Sequence, residues 1–227
     1  MSITIPILAQ EPDFIVVDKP AGLDFHSQDG SAGLVQLVRA QTGLTELYAV
    51  HRLDKLTSGL LLLARSSAAA SALGELFSQH QIRKYYLAIS AHKPSKKQGK
   101  VRGGIEKGRG GSYRLVREGG QLAITQFFSY GLGEGLRLFA LKPLTGRTHQ
   151  LRVTLKSLGS PILGDSRYAG GESDRGYLHA YELAFSLHEH TYHYQCPPST
   201  GTAFLATACS AQLASLGSLD ALPWPAA

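Results

Sequence analysis

The spacing of apolar positions changes several times along the chain, and each change marks a candidate element. Ile5, Ile7, Phe14, Ile15, Val16 and Val17 suggest short strands on either side of the polar turn Gln10-Glu11-Pro12-Asp13. Leu34, Val35, Leu37 and Val38 recur at helical spacing within 30–42, which predicts a short amphipathic helix ending near Gly43. Leu60, Leu61, Leu62 and Leu63 form an unbroken apolar run between Gly59 and Arg65. The run is too short for a membrane span and reads as a buried strand, with no periodicity to separate it from a buried helical turn. Over 66–80, Ala69, Leu73, Leu76 and Phe77 fall on one stripe and predict a helix. Residues 82–89 are β-branched and aromatic and predict a strand, with Lys84, Tyr86 and Ala88 on one face and Arg83, Tyr85 and Leu87 on the other.

The pattern weakens over 90–120, where eight glycines interleave lysines and arginines. Two short strands are expected around 111–117 and 121–130, with a flexible basic arm between them. Alternation returns over 136–142, and Gly146 breaks a turn that enters a helix through 147–155. A short helix from Thr202 to Leu216 and a flexible tail over 220–227, rich in proline and alanine, complete the reading.

Composition narrows the class. A chain of 227 residues can bury a core without disulfides or a structural metal. Cys196 and Cys209 lie thirteen apart with no CxxC partner, which speaks for a reducing compartment and against a disulfide scaffold or a zinc site. No cationic start leads into a long apolar run, so a cytoplasmic protein is expected. Net charge is +6, and nine basic residues against the single acid Glu106 fall between 93 and 117. Such a segment favours a polyanion, unless it is only a solubilising loop. Its glycines form no phosphate-loop pattern. His188, His190 and His193 have no spaced Asp or Cys to join them and read as solvated histidines rather than metal ligands.

Candidate chemistry concentrates in two stretches. In 50–66, Asp54 stands among His51, Arg52 and Lys55 on a loop that feeds directly into the leucine run. A carboxylate held that rigidly suits a nucleophile or a base, the alternative being a surface ion pair with Arg52 or Lys55. The second stretch brings Thr145, Arg147, Thr148, His149, Gln150 and Arg152 to a turn that enters a helix, with Gly146 as its break.

These stretches carry a resemblance. His-Arg-Leu-Asp followed by Thr-Ser-Gly-Leu-Leu-Leu-Leu-Ala resembles the catalytic motif of the RluA-type pseudouridine synthases, which isomerise uridine in ribosomal or transfer RNA. Lys-Pro-Ala-Gly-Leu from Lys19, Lys-x-Tyr-x-Ala from Lys84, Gly-Arg-Thr-His-Gln-Leu-Arg from Gly146 and Gly-x-Pro-Ile-x-Gly-Asp from Gly159 are similar to further segments of that family, in family order. So is Leu-His-Ala-x-x-Leu-x-Phe from Leu178, and the likeness covers roughly 10–215. Thr154 departs from it, standing where the family commonly has His.

The resemblance implies Asp54 as the essential carboxylate, Tyr86 beside the target base, and Arg152 paired with Asp54. Arginine suits that role because its fork can hold a carboxylate bidentately. Substrate contacts are expected from Arg52, Thr57, Lys84, Arg147, His149 and Gln150, and RNA backbone contacts from Lys96, Lys97, Lys100 and Arg102. Lys19 and Pro20 are expected to support the floor of the site, with His26 structural. The implied fold is a mixed α/β (α+β) domain, a bent and mostly antiparallel sheet with flanking helices around a central cleft. It is expected to span 1–227 as one catalytic domain and monomer, without a separate N-terminal RNA-binding domain, and with 93–117 as a basic glycine-rich insertion or loop.

The implied reaction moves C1′ of the sugar from N1 to C5 of uracil. Nothing is oxidised or hydrolysed, so neither cofactor nor metal is required, and the base must leave its stack. Attack at C1′, proton abstraction to a glycal and addition to C6 all remain open as the role of the carboxylate. Two other classes are a non-catalytic RNA-binding protein and a hydrolase using Asp54 with His51 or His149. Product chemistry separates the three.

Overall fold

The computed structural model describes residues 3–25 and 32–225, so His26 lies outside the described residues. Strands β1 (Ile7–Gln10) and β2 (Phe14–Lys19) precede helix α1 (Leu34–Thr42), the short β3 (Tyr48–Ala49) and β4 (Ser58–Ala64). Helix α2 (Ser67–Ser78) leads to β5 (Arg83–Ser90), β6 (Gln98–Lys107), β7 (Tyr113–Val116), β8 (Gln121–Gly133) and β9 (Leu136–Pro143). Helix α3 (Gln150–Ser157), the hairpin of β10 (Leu178–Leu187) and β11 (His190–Gln195), and helices α4 (Thr202–Leu205) and α5 (Thr207–Leu216) follow.

Among the described residues the strands form one sheet in the order β1-β2-β4-β10-β5-β9-β8-β6-β7, with β3 on β4 and β11 on β10. Every pairing is antiparallel except β4 with β10. The leucine run is a strand because it has neighbours on both edges and is buried along its whole length, Leu62 lying opposite Val16 and Leu61 opposite Val17. One core gathers Phe14, Leu61, Leu63, Leu34 and Leu73. A second gathers Leu87, Phe139, Leu155 and Phe204. Strand β10 contributes to both, through Leu183 to the first and Leu178 to the second.

Local chemistry sets the helix ends. Gly43 closes α1 in the left-handed region (φ 70°), its N–H returning to Arg39 O at 2.9 Å. Ser66 caps α2 by accepting from Ala69 N at 3.1 Å. Gly59 has φ 103°, and a Cβ there would run into the Ala180 backbone, so the parallel β4–β10 junction closes only over a glycine.

Four expectations need correction. Residues 93–117 are not an insertion loop: β6 lies within them, paired with β8 from Gln98 opposite Phe128 to Ile105 opposite Gln121. Gly103 and Gly104 admit the backbones of Val116 and Gly119, so these glycines serve close strand approach rather than flexibility. The tail is docked as far as it is described. Asp220 accepts from Arg83 Nε (2.8 Å) and Nη2 (3.0 Å) and from the Tyr85 hydroxyl, while Trp224 stacks on Tyr85 at 5.7 Å between centroids. Finally, His193 is no free histidine, since its Nε2 meets the buried Glu182 Oε1 at 2.6 Å. The expected 202–216 helix is also interrupted, by the extended Ala206 between α4 and α5.

Two uncharged imidazoles pin β4. His51 Nε2 accepts the Leu62 N–H at 2.9 Å, which requires an unprotonated nitrogen, and burial first, then the Lys84 charge, pushes its pKa down to about 3. His179 Nδ1 meets Ser58 Oγ at 2.7 Å and its Nε2 meets Cys196 O at 2.6 Å, and burial lowers its pKa to about 4. A group whose folded pKa lies below its unfolded value leaves the folded state with fewer protons, so stability falls as pH drops through that window. For His179 the window runs from 6.5 down to about 4. Replacing His179 with Gln should flatten the pH dependence of urea unfolding there by up to about 1.4 kcal/mol per pH unit. A variant profile as steep as the parent's would contradict a neutral buried ring.

Candidate active site

Asp54 sits on a tight turn, with Thr57 N donating to Asp54 O at 3.0 Å. The turn is held from beneath by Lys19, whose fully buried ammonium donates to Pro20 O (3.0 Å), Lys55 O (3.2 Å) and Thr57 O (2.8 Å). Three carbonyls take its three protons, and burial lowers its pKa to about 8. The Lys55 side chain turns outward to Asp24 at 2.6 Å. Asp54 turns into the cleft. Pairing of Asp54 with its sequence neighbours is thereby excluded for Lys55.

Helix α3 supplies the facing wall. Its first turn follows His149, which holds φ 56°, an unusual conformation for a side chain of that size. Arg152, one turn on, donates from Nε to Asp165 Oδ2 (2.7 Å) and from Nη2 to Asp165 Oδ1 (2.8 Å), leaving Nη1 to reach Asp54 Oδ2 at 3.3 Å. The expected Asp54–Arg152 contact is present, but the bidentate grip belongs to Asp165. Exposure explains the division: the Asp165 side chain is 1% exposed and that of Asp54 is 21%. The dry carboxylate needs both donors, while the cleft carboxylate keeps oxygen free. Burial alone would lower the Arg152 pKa, but hydrogen bonding and charge from Asp165 and Asp54 outweigh it and raise it. Tyr168 completes the packing, its ring centroid 5.0 Å from Arg152 Cζ.

Across the cleft, β5 presents Tyr86 and Lys84, as the strand parity requires, while Tyr85 packs on the opposite face. Burial and then the Asp54 charge raise the Tyr86 pKa, so the phenol keeps its proton as a donor. Lys84 is lowered by burial, lies 5.7 Å from the Phe77 ring centroid, and is paired with no carboxylate among the described residues. The cleft holds about 630 Å³.

Arg52, Asp54, Thr57, Lys84, Tyr86, Arg147, His149, Gln150 and Arg152 all line this one cleft. One of them has another duty. Gln150 is fully satisfied within the protein: Oε1 accepts from Thr145 Oγ1 and Arg147 N, and Nε2 donates to Ile124 O and Thr125 Oγ1. It braces the turn rather than offering groups to a ligand. His51 also lines the cleft, but its Nε2 is occupied by the β4 backbone, so it offers Asp54 no base.

Lys96, Lys97, Lys100 and Arg102 do not line the cleft. Ser95 N donates to Leu158 O, which places the 95–97 turn at the far end of α3, about 12 Å along the helix from His149. The basic residues nearer the site are at the β6–β7 tip. There Tyr113 N donates to the Tyr168 hydroxyl at 2.8 Å, and Arg167 Nη1 donates to Gly110 O. Arg109 and Arg114 beside that tip belong to the 93–117 segment read as favouring a polyanion, whereas Asp165 and Tyr168 beneath it were missed from sequence as site residues. Asp165 alone had a signal, as an acid ending the apolar turn Pro161-Ile162-Leu163-Gly164.

Replacing Arg152 with Met should destabilise the protein by about 3–5 kcal/mol, because Asp165 is left buried without its cation. Adding Asp165→Leu should recover most of that loss in urea unfolding. A double variant as unstable as the single would show that the pair is not what holds α3 in place.

Known proteins resemble this chain in sequence and in fold. Residues 13–157 match the family model described as RNA pseudouridylate synthase. The chain is 46% identical over 199 residues to a Haemophilus influenzae protein named "Uncharacterized RNA pseudouridine synthase", covering 87% of this chain and 89% of that one. It is 38% identical over 192 residues to "Ribosomal large subunit pseudouridine synthase C" of Rickettsia felis, covering 79% of this chain but only 62% of that longer relative. The solved structure of human RNA pseudouridylate synthase domain containing 4 superposes with a TM-score of 0.72 at 30% identity, over 88% of this chain and 90% of that one. Human RNA pseudouridylate synthase domain containing 1 shares the fold, with a TM-score of 0.76 at 23% identity over 98% and 97% of the two chains. The expected bent, mostly antiparallel sheet with flanking helices is the fold of these structures. The chain belongs to the RluA-like family of RNA pseudouridine synthases, which isomerise uridine to pseudouridine in RNA.

Proposed function

We propose that this protein isomerises specific uridines of ribosomal RNA, with Asp54 as the acting carboxylate. The observation that carries the catalytic assignment is the placement of Asp54 Oδ2 in the cleft, 3.3 Å from Arg152 Nη1 and facing the wall that holds Tyr86. Ribosomal RNA is favoured over transfer RNA by the name of the Rickettsia felis relative, of which this chain spans only part. Free buried thiols at Cys196 and Cys209 support action in the reducing cytoplasm, and we take the working unit to be a monomer.

The residues divide the chemistry. The N1–C1′ bond breaks, the uracil turns in place, C1′ joins C5, the C5 proton leaves and N1 acquires one. Asp54 acts at the sugar or at C6 of the base. Arg152 orients Asp54 through a guanidinium that Asp165 has already fixed. Tyr86 stacks beside the base and donates from a phenol that keeps its proton. Lys84, a cation without a carboxylate partner in the described ion pairs, is suited to a phosphate of the extruded nucleotide.

Asp54→Asn should abolish pseudouridine formation on ribosomal RNA from cells lacking the gene, while the Kd for that RNA stays within a few-fold. Turnover near the parent rate would refute the assignment. Modification of transfer RNA in place of ribosomal RNA would leave Asp54 intact and overturn the substrate.

Exposed cations at the β6–β7 tip are the better candidates for backbone contact. Neutralising Arg109 and Arg114 together should weaken RNA binding and flatten its log–log salt dependence by about 0.7–0.9 per lost phosphate contact. Neutralising Lys96 and Lys97 should change the slope less. Equal effects would place the RNA path along the far end of α3.

A further inference from the structure

The hairpin residue Tyr113, Tyr168 and His149 form a chain of hydrogen bonds whose last member faces Asp54. The Tyr168 hydroxyl lies 2.8 Å from the Tyr113 backbone nitrogen and 2.8 Å from His149 Nδ1. The other imidazole nitrogen, Nε2, lies 3.9 Å from Asp54 Oδ2. The ring is confined on two further sides, edge-on to Tyr113 at 5.1 Å and to Tyr168 at 5.7 Å between centroids.

Donor and acceptor roles along this chain follow from its two ends. A backbone N–H can only donate, so the Tyr168 oxygen accepts from Tyr113, and its remaining capacity is one lone pair and its own proton. At the other end stands the Asp54 carboxylate, which favours an N–H over a lone pair directed toward it. The Tyr168 oxygen could meet Nδ1 as donor or as acceptor, and the Asp54 carboxylate selects between them: the imidazole proton is carried on Nε2, and the Tyr168 O–H donates to Nδ1. A doubly protonated ring is disfavoured by burial first, and by the charges of Arg152 and Arg167, although Asp54 and Asp165 oppose them.

We propose that Tyr168 is a positioning residue that holds His149 as the Nε2–H tautomer, giving the Asp54 carboxylate a second donor beside Arg152. The inference rests on the reading of Asp54 as the acting group. At 3.9 Å the His149 contact is longer than a hydrogen bond, so in the free protein it acts as an oriented dipole. It becomes a hydrogen bond if Asp54 shifts by under an ångström as RNA seats. The source of the first N–H matters as well. Tyr113 begins β7, whose hairpin carries Arg109 and Arg114, so a backbone seated on that hairpin is linked by hydrogen bonds to the imidazole that faces Asp54.

The test is the tautomer itself. In the full-length protein labelled with ¹⁵N-histidine, two-bond ¹H–¹⁵N spectra at neutral pH should show His149, assigned by its loss in His149→Ala, protonated on Nε2 and bare on Nδ1. Tyr168→Phe, which keeps the ring under Arg152, should give a mixture of tautomers and lower kcat by roughly 10- to 100-fold with KM for RNA little changed. His149→Gln, whose amide can direct an N–H to the same place, should retain more turnover than His149→Ala, and adding Tyr168→Phe to His149→Ala should cost nothing further. An Nδ1–H or doubly protonated ring in the parent protein would overturn the proposal, as would independent, multiplicative losses in the double variant. The parent spectrum decides the question even if Tyr168→Phe fails to fold. An active Asp54→Asn would refute the functional reading instead, while the tautomer is still read from the parent protein.

Discussion

Arg152 bridges two carboxylates of different exposure, and the site is arranged around that inequality. Asp165 is dry and takes two of the guanidinium's donors, which fixes the plane of the fork before any RNA arrives. Asp54 is partly exposed and takes the third, at longer range. An arginine held by one carboxylate therefore aims at another, and the second keeps oxygen available to the cleft. Lysine could supply the charge at this position, but not the plane.

The fold serves this arrangement from both sides. Asp54 rides on a turn clamped by Lys19 at the entry to β4, and Arg152 on the first full turn of α3 behind the Gln150 brace. Those elements belong to different cores, and the sheet joins them through β10, which runs parallel to β4 only where Gly59 lets the backbones meet. Residues ninety-eight apart in sequence are thus placed by a rigid frame, and no loop has to close to form the pair.

Much of the site was legible before the structure because strand parity and motif spacing are local properties. Alternation over 82–89 separated Tyr86 from Tyr85 correctly, and Asp54 beside a leucine run was bound to be held firmly. What could not be read depends on tertiary depth. Whether Arg152 spreads its fork over Asp54 or Asp165 is decided by which carboxylate is buried, and nothing local reports that. The Gly-rich basic segment looked flexible because glycines have no side chains to show the period of β6. Trp224 in a proline-rich tail gave no local sign of its stack on Tyr85, and His51 gave none of its bond to Leu62.

Joining C1′ to C5 must expel the hydrogen that C5 carried, a change that neither RNA binding nor hydrolysis makes. The most direct measurement is therefore tritium release from ribosomal RNA labelled at C5 of uridine, with strand integrity followed in the same sample. The account predicts release approaching one tritium per modified position, into water, from RNA of unchanged length and with no free uracil. Bound RNA that releases no tritium, or release accompanied by free base or strand scission, would contradict it.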